Sequence, residues 1–372
     1  MVKRIFCILM VLVLTMLTFA GCRNNKNTTE ENNSQNANEQ ITLDNSATID
    51  PLNPGNYSTS LNAVTKNDEV ITCENGEFSW KAALTNSGDK ADYGLVLFVD
   101  GVLTPFTTDF DEEEKTMHIL SLGANKVGEF TVKVKAEYIP SGHTVYADVA
   151  TILNPKYILQ SLDYRSYLPH HFLAAFTFYK LENLEANEVG NINVSQIDYQ
   201  MELPDEINKS YESEGLDENY ETVITNSLDN VNFFYLYSGE EFNEIISIYT
   251  SVPGKDLNLK VACLGKSEKF RLSLYINHTP VPAFDGNMYC DVEVQRDKIM
   301  FKNVSISADY LAGLGEFNHI YLMAVPIEPS LSDEDYDRPI KTTTKMLYIS
   351  SEENVAEIES QIAADLAEVI YD

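Results

Sequence analysis

Two short acidic segments carry side chains suited to binding a cation. One is residues 109–114, which lie between two predicted strands. Its alternate positions hold the carboxylates of Asp109, Asp111 and Glu113, and the second segment is residues 333–337. Carboxylates at alternate positions can gather around Ca²⁺, which takes roughly six to eight oxygen ligands. Residues 109–114 lack the glycine and the distal glutamate of an EF-hand loop, so a loop whose carboxylates simply face water is the alternative.

No residue pattern typical of a catalytic centre stands out. The sequence has no Gly-x-Ser-x-Gly elbow, no His-Glu-x-x-His pair, no glycine-rich phosphate loop and no Cys-x-x-Cys motif. His170 and His171 are adjacent, and neighbouring residues of a strand point to opposite faces, which disfavours a shared metal. His143 lies in a turn with no nucleophile beside it. We therefore expect a protein that is not an enzyme and uses no cofactor.

Three cysteines lie beyond the N-terminal segment, at Cys73, Cys263 and Cys290. An odd number does not indicate a disulfide framework. Cys263 and Cys290 could pair across a sandwich of two sheets. Alternatively, all three serve as small buried apolar residues.

The N-terminus combines three features of a secretory signal. Residues 1–4 are a short basic start, residues 5–19 are uncharged and mostly apolar, and Ala20-Gly21-Cys22 follows at once. The apolar run is about 15 residues long, whereas a helix that spans a bilayer needs roughly 20. The segment therefore predicts export.

Ala-Gly-Cys at this position resembles the lipobox of bacterial lipoproteins. The resemblance covers residues 1–22 and implies cleavage after Gly21 and a diacylglyceryl group on Cys22, whose two acyl chains suffice for stable anchoring. Phe19 departs from the pattern, because a smaller aliphatic residue is usual there, and this bears on the efficiency of cleavage. An uncleaved N-terminal anchor is the alternative. Both place the chain on the extracytoplasmic face of the cell membrane, with membrane lipid as a partner, and the low cysteine content of an exported chain fits a Gram-positive bacterium.

The formal net charge of −31 limits the class of partner. Nucleic acid is excluded because binding to phosphates needs a basic face. The charge could serve solubility alone, or it could favour cations or a basic partner. Residues 23–50 hold eight asparagines and no aromatic residue, so they cannot bury enough surface to fold. We expect residues 22–65 to form a lipidated, disordered stalk.

Short apolar-polar alternations with turns between them begin at about residue 66 and predict strands. Residues 130–138 alternate with a period of two, and residues 95–99 are an apolar run typical of a fully buried strand. Residues 145–153 predict the last strand of this unit. Several short strands separated by turns favour a β-sandwich.

Four segments recur in the same order 177 to 187 residues later. They are Leu97–Gly101 with Leu274–His278, Pro105–Phe106 with Pro282–Phe284, Lys115–Met117 with Lys298–Met300, and Gly128–Phe130 with Gly315–Phe317. The flanking strands then match as residues 133–138 with 320–325 and 145–153 with 342–349. Chance similarity between β-rich stretches is the alternative. We expect a mainly β protein with two immunoglobulin-like sandwiches in tandem, residues 66–155 and 236–350.

Two further segments complete the predicted organisation. Residues 156–235 are expected to form an acidic connector with added strands at 171–179 and 191–199, either extending the first sheet or opening the second unit. Residues 351–372 have apolar positions three or four apart and predict an amphipathic helix. This helix would pack against the second sandwich or dock onto a partner.

These features together predict a membrane-anchored lipoprotein that acts as a binding or adhesion module without enzymatic activity. Its partner would be a surface protein or a glycan. The alternatives are an accessory or substrate-capturing lipoprotein of an export or uptake system, and a structural spacer. Fold analogy alone does not decide among them.

Overall fold

The computed structural model describes residues 58–65, 70–140, 144–156, 173–182, 197–216, 222–238, 248–250, 254–327, 340–343 and 346–349. The predicted signal, Cys22, residues 23–57 of the predicted stalk and the C-terminal helix lie outside these residues, as do the second acidic segment, His143, His170 and His171. The last part of the predicted stalk is described, and the prediction of disorder there is wrong, because residues 59–63 form a strand that pairs with residues 82–86 of the first sandwich. Within the described ranges, no helix is long and apolar enough to cross a membrane.

The first unit is a sandwich of short strands. They are β1 (Thr59–Ala63), β2 (Val70–Thr72), β3 (Glu77–Asn86), β4 (Ala91–Val99), β5 (Val102–Leu103), β6 (Thr107–Thr108), β7 (Met117–Leu122), β8 (Lys126–Lys135), β9 (Thr144–Leu153) and β10 (Leu173–Glu182). Burial alternates along β7 and β8, because one face covers the core and the other does not. All of β4 is buried, so the fully buried strand predicted at 95–99 is confirmed. The strand predicted at 130–138 ends earlier, since residues 136–138 form a 3₁₀ turn.

Two sheets enclose the first core. The outer sheet has the order β1-β3-β8-β6, and the inner sheet has the order β2-β10-β9-β4-β5, with β7 also paired to β4. Strand β2 runs parallel to β10, while the other pairs are antiparallel. The core between the sheets holds Phe78, Trp80, Tyr93, Phe130 and Tyr179, all of them almost fully buried.

The second unit repeats this arrangement. Its strands are β11 (Tyr199–Glu202), β12 (Glu212–Leu216), β13 (Thr222–Asn226), β14 (Asn232–Tyr237), β15 (Ile248–Thr250), β16 (Leu257–Gly265), β17 (Glu268–Ile276), β18 (Thr279–Val281), β19 (Tyr289–Val294), β20 (Lys298–Ile306), β21 (Phe317–Pro326), β22 (Lys341–Thr342) and β23 (Met346–Ile349). Two short helices accompany them, α1 (Asp205–Ser210) and α2 (Ala308–Leu311). The outer sheet is β11-β20-β16-β14 and the inner sheet is β15-β23-β21-β17-β18, with β19 paired to β17 and β22 to β21.

The two units share one topology, strand for strand, across most of both sheets. In the inner sheets β4, β9 and β10 occupy the places of β17, β21 and β23, and the parallel pair β2–β10 corresponds to β15–β23. In the outer sheets β1-β3-β8 corresponds to β14-β16-β20. The predicted pair of immunoglobulin-like sandwiches is therefore confirmed.

The predicted register of the repeat holds in its first half and fails in its second. Residues 97–101 and 274–278 both end a central strand in a tight turn, where Asp100, Gly101, Asn277 and His278 have positive φ. The later matches are displaced by one strand, because they equate β8 with β21 and β9 with β23. Topology instead equates β9 with β21 and β10 with β23. Short alternating strands resemble one another, so residue similarity alone does not fix which strands correspond.

The boundaries of the units also differ from the predicted ones. Strand β10 pairs along β9, so the first unit continues to Glu182. Strand β11 pairs with β20, so Tyr199 already belongs to the second unit. The segment predicted as an acidic connector therefore contributes β10 to the first sandwich, and β11 and the start of β14 to the second.

The segment between β11 and β14 forms a cap on the outer sheet of the second unit. Tyr211 and Leu228 are buried there against Tyr237, Leu264 and Phe301. Acidic composition led to the prediction of a connector, but a few apolar residues within the segment are enough to fix it to the sheet.

The inner sheets of the two units pack against each other. A shared core forms between them from Val96, Phe98, Ala150, Ile152, Tyr275, Tyr321, Met323, Val325 and Ile340. Alternate residues of the same strands face the two separate cores, so β4 and β17 have protein on both faces. A buried apolar interface of this kind restricts motion between domains.

Candidate functional site

The acidic segment 109–114 is held by hydrogen bonds from the protein itself. Asp111 Oδ2 accepts from His118 Nδ1 at 3.0 Å and from Lys115 Nζ at 3.2 Å, and its Oδ1 accepts from the backbone N–H of Glu113. Asp109 accepts from the backbone N–H and the hydroxyl of Thr131 at 3.0 and 3.1 Å. These carboxylates are engaged separately along the loop.

Glu113 is likewise engaged, by Lys115 Nζ at 2.8 Å. The described residues contain no group of three or more histidine, cysteine or acidic side chains that could hold a metal ion. Asp109, Asp111 and Glu113 are thus not brought together as Ca²⁺ ligands would be.

His118 is the residue that organises this loop, and the sequence did not single it out. Its ring is fully buried, with Nδ1 facing Asp111 and Nε2 at 2.8 Å from the carbonyl oxygen of Phe106. It donates to both acceptors only when both ring nitrogens are protonated. Burial pushes the pKa of Asp111 up, but hydrogen bonds from His118 and Lys115 outweigh it, so that pKa lies below its ordinary value.

The three described cysteines are free. Cys263 and Cys290 lie in the core of the second sandwich, and burial raises the pKa of both thiols. Cys73 lies at the edge of the first core. The predicted alternative of a Cys263–Cys290 disulfide is therefore wrong for this structure, and the interpretation as buried apolar residues describes the pair.

Arg271 joins the two units through a buried polar contact. Its Nε and Nη2 donate to the two carboxylate oxygens of Asp291 at 2.6 and 2.8 Å. Its Nη1 donates to the carbonyl oxygen of Asp100 in the first unit at 2.9 Å, and its guanidinium lies 4.6 Å from the ring centroid of Tyr289. In the sequence Arg271 stands between Phe270 and Leu272, which marks a charge among apolar neighbours but does not indicate its partner.

The hairpin β12–β13 projects from the cap of the second unit. Among the strands that the structure describes, these two pair only with each other, and the exposed residues include Glu212, Glu214 and Ile224, with Ile224 65% exposed. The base of the hairpin is fixed, because Ser227 N–H and its hydroxyl both donate to the carbonyl oxygen of Tyr211. The hairpin is therefore anchored at its base, and most of the residues described along its two strands are exposed.

A cleft of about 320 Å³ opens on the first unit beside β4 and β7. Its lining residues are Asp92, Asp111, Lys115, Met117, Ile119, Ser121 and Lys156. It places two carboxylates and two ammonium groups around an apolar strip. No sequence pattern indicates this cleft, because β4, β7 and the turn at residue 156 come together only on folding.

No family model matches the chain, and no curated protein matches its sequence. Solved structures to which it is similar include the periplasmic chaperone SfaE, at 10% identity, 79% coverage of this chain, 100% of that chain and a TM-score of 0.20. A protein of unknown function from Porphyromonas gingivalis W83 has 8% identity, coverages of 80% and 100%, and a TM-score of 0.21. The E. coli chaperone DraB has 10% identity, coverages of 79% and 97%, and a TM-score of 0.23. Similarity at this level concerns the fold and assigns no function.

Proposed function

We propose that the protein is a lipoprotein anchored through Cys22 on the extracytoplasmic face of the membrane, where it binds a protein partner without catalysing a reaction. The observation that carries the binding role is the bare hairpin β12–β13. A two-stranded hairpin with no packed face is marginally stable in water. An element that is fixed at its base but exposed along both strands is suited to gaining order from a partner.

The partner that fits this hairpin is an extended segment rich in lysine or arginine. Free strand edges supply backbone donors and acceptors for an added strand. The two strands of the hairpin carry Glu212 and Glu214, and neither of these two strands contains a basic residue. Ile224 adds an exposed apolar contact. The free strand edges, the two glutamates and Ile224 therefore all favour an extended basic segment.

A purely structural spacer is less well supported. A spacer gains reach when its domains are joined end to end, whereas these sandwiches share a core between their inner sheets. Because the two sandwiches pack face to face, the protein is shorter than an end-to-end arrangement would be, and its surface is held in a fixed shape. That arrangement favours the presentation of a binding element.

Site-specific photocrosslinking on intact cells tests the binding role. A photoreactive residue at Ile224 is expected to give a discrete adduct with a protein partner. The matched control is Val127 in the first unit, a branched apolar residue of similar exposure, at 60% against 65%. The same adduct from both positions, or none from Ile224, contradicts the proposal.

Charge reversal tests the chemistry of the partner. Glu212→Lys with Glu214→Lys is expected to abolish the adduct at Ile224, because like charges then repel a basic segment. Glu112→Lys with Glu129→Lys makes the same change in net charge on exposed positions of the first unit. Equal loss with both double variants would show that overall charge, and not the hairpin, attracts the partner.

A further inference from the structure

We propose that the cleft on the first unit binds a small zwitterion that carries an amine and a carboxylate, such as an amino acid. Asp92 would receive the amine and Lys156 the carboxylate. The site is on the sandwich that does not carry the hairpin, so this binding goes beyond the proposed function and is independent of it.

Asp92 supplies the position for the amine. Its side chain is 5% exposed, and its Oδ1 accepts from the hydroxyl of Ser121 at 2.5 Å. Within the described part of the chain, its Oδ2 has no donor, although the residue lines the cleft. A carboxylate that is largely withdrawn from water needs donors or a cation to offset its lost hydration. The hydroxyl of Ser121 leaves Oδ2 open to the cleft, where an ammonium group would supply the missing donors.

Lys156 supplies the position for the carboxylate. It is exposed at the cleft, and it forms no ion pair with any residue that the structure describes. In a chain with 57 acidic and 26 basic residues, an unpaired ammonium next to a cavity is a scarce anchor for an anion. The opposite charges of Asp92 and Lys156 match both ends of a zwitterion.

The other charged residues of the cleft are already satisfied. Asp111 is held by His118 and Lys115, and Lys115 also pairs with Glu113. Met117 and Ile119 provide the apolar strip between the charges. A cavity of about 320 Å³ is near the lower end of ligand sites, roughly 300 Å³ and above, and therefore favours a molecule of amino-acid size over a macromolecule.

Isothermal titration of the protein with straight-chain amino acids from glycine to 6-aminohexanoate tests this proposal. One or two chain lengths are expected to bind best, because the amine and the carboxylate of one molecule must reach Asp92 and Lys156 at the same time. An alkylamine and a carboxylic acid of equal length are expected to bind at least about tenfold more weakly, since each lacks one charge-assisted hydrogen bond. Absence of binding by every amino acid at millimolar concentration overturns the proposal.

Two variants assign the anchors. Lys156→Gln is expected to weaken binding of the best amino acid about tenfold or more, while the affinity for the alkylamine stays unchanged. Asp92→Asn keeps the contact with Ser121 and is expected to weaken both. Lys126→Gln, at another exposed lysine of the same unit, is the matched control and should change neither. Because Lys156 is exposed, its variant will fold, and unchanged affinity in that variant overturns the proposal even if Asp92→Asn is unstable.

Discussion

Arg271 Nη1 lies 2.9 Å from the carbonyl oxygen of Asp100, and this hydrogen bond links two residues that are 171 positions apart and belong to different sandwiches. The same guanidinium forms a bidentate ion pair with Asp291. Its side chain is 10% exposed and that of Asp291 is 4% exposed. The contact fixes the turn of the first unit to the inner sheet of the second, beside the shared apolar core.

Removing the charge of Arg271 should destabilise the protein strongly. Arg271→Gln leaves Asp291 buried without its partner, at a cost of about 3–5 kcal/mol. Lys135→Gln is the control, because Lys135 is 54% exposed where it pairs with Glu114, and surface pairs contribute less than about 1 kcal/mol. Urea unfolding of both variants measures the difference. Equal destabilisation would mean that the Arg271 pair is not buried as described.

Gly101 should be irreplaceable at the same junction. It has φ +77°, and an added Cβ would lie 2.8 Å from Cβ of Arg271. Gly286 has a similar φ of +84° with nothing within 4 Å. Alanine at either site bears the strain of left-handed backbone, about 1–2 kcal/mol, but only Gly101→Ala adds overpacking of about 1–3 kcal/mol. The melting temperature of Gly101→Ala should therefore be well below that of Gly286→Ala. The reverse order would contradict the close approach of Gly101 to Arg271.

The two sandwiches should stay together after the chain between them is cut. A protease site inserted within residues 183–196 allows cleavage of the folded protein, and the shared core is expected to hold the halves together in size-exclusion chromatography. Val96→Asp places an unpaired charge in that core while leaving the two separate cores intact. The cleaved variant should separate into halves. Separation of the cleaved parent protein would show that the interface is too weak to act as described.

Acid should loosen the loop held by Asp111. Because its pKa in the folded protein lies below the ordinary value, the stabilisation is present above roughly pH 4 and is lost as the pH falls through the lowered pKa. Asp111→Asn should therefore remove part of the fall in stability on acidification. Glu112→Gln, on the same loop, is the control and should leave the profile unchanged. Identical pH profiles for the parent and Asp111→Asn would contradict the role of the His118 contact.

Local structure was predictable from the sequence where a strand is buried either on both faces or on one face along its whole length. The apolar run at 95–99 predicted a buried strand, and the alternation at 130–138 predicted a strand that is confirmed as far as residue 135. Such signals depend on neighbouring residues, and the sequence contains those neighbours.

Relationships between distant residues could not be predicted in this way. Asp111 was a candidate Ca²⁺ ligand because carboxylates recur around it. In the folded loop, however, its carboxylate accepts hydrogen bonds from His118 and Lys115. The Arg271–Asp100 contact depends on which faces of two sheets meet, and no periodicity records that choice. The same holds for Asp92, on β4, and Lys156, in the turn after β9, which both line one cleft.

Metabolic labelling with a clickable fatty acid tests the central claim, a lipid anchor on Cys22, most directly. The parent chain and Cys7→Ala, which changes the other cysteine of the N-terminal segment, are both expected to carry the label and to remain with the membrane fraction. Cys22→Ala is expected to carry no label and to be released or left as an uncleaved precursor. Labelling and tethering of Cys22→Ala at the level of the parent would contradict the lipoprotein assignment.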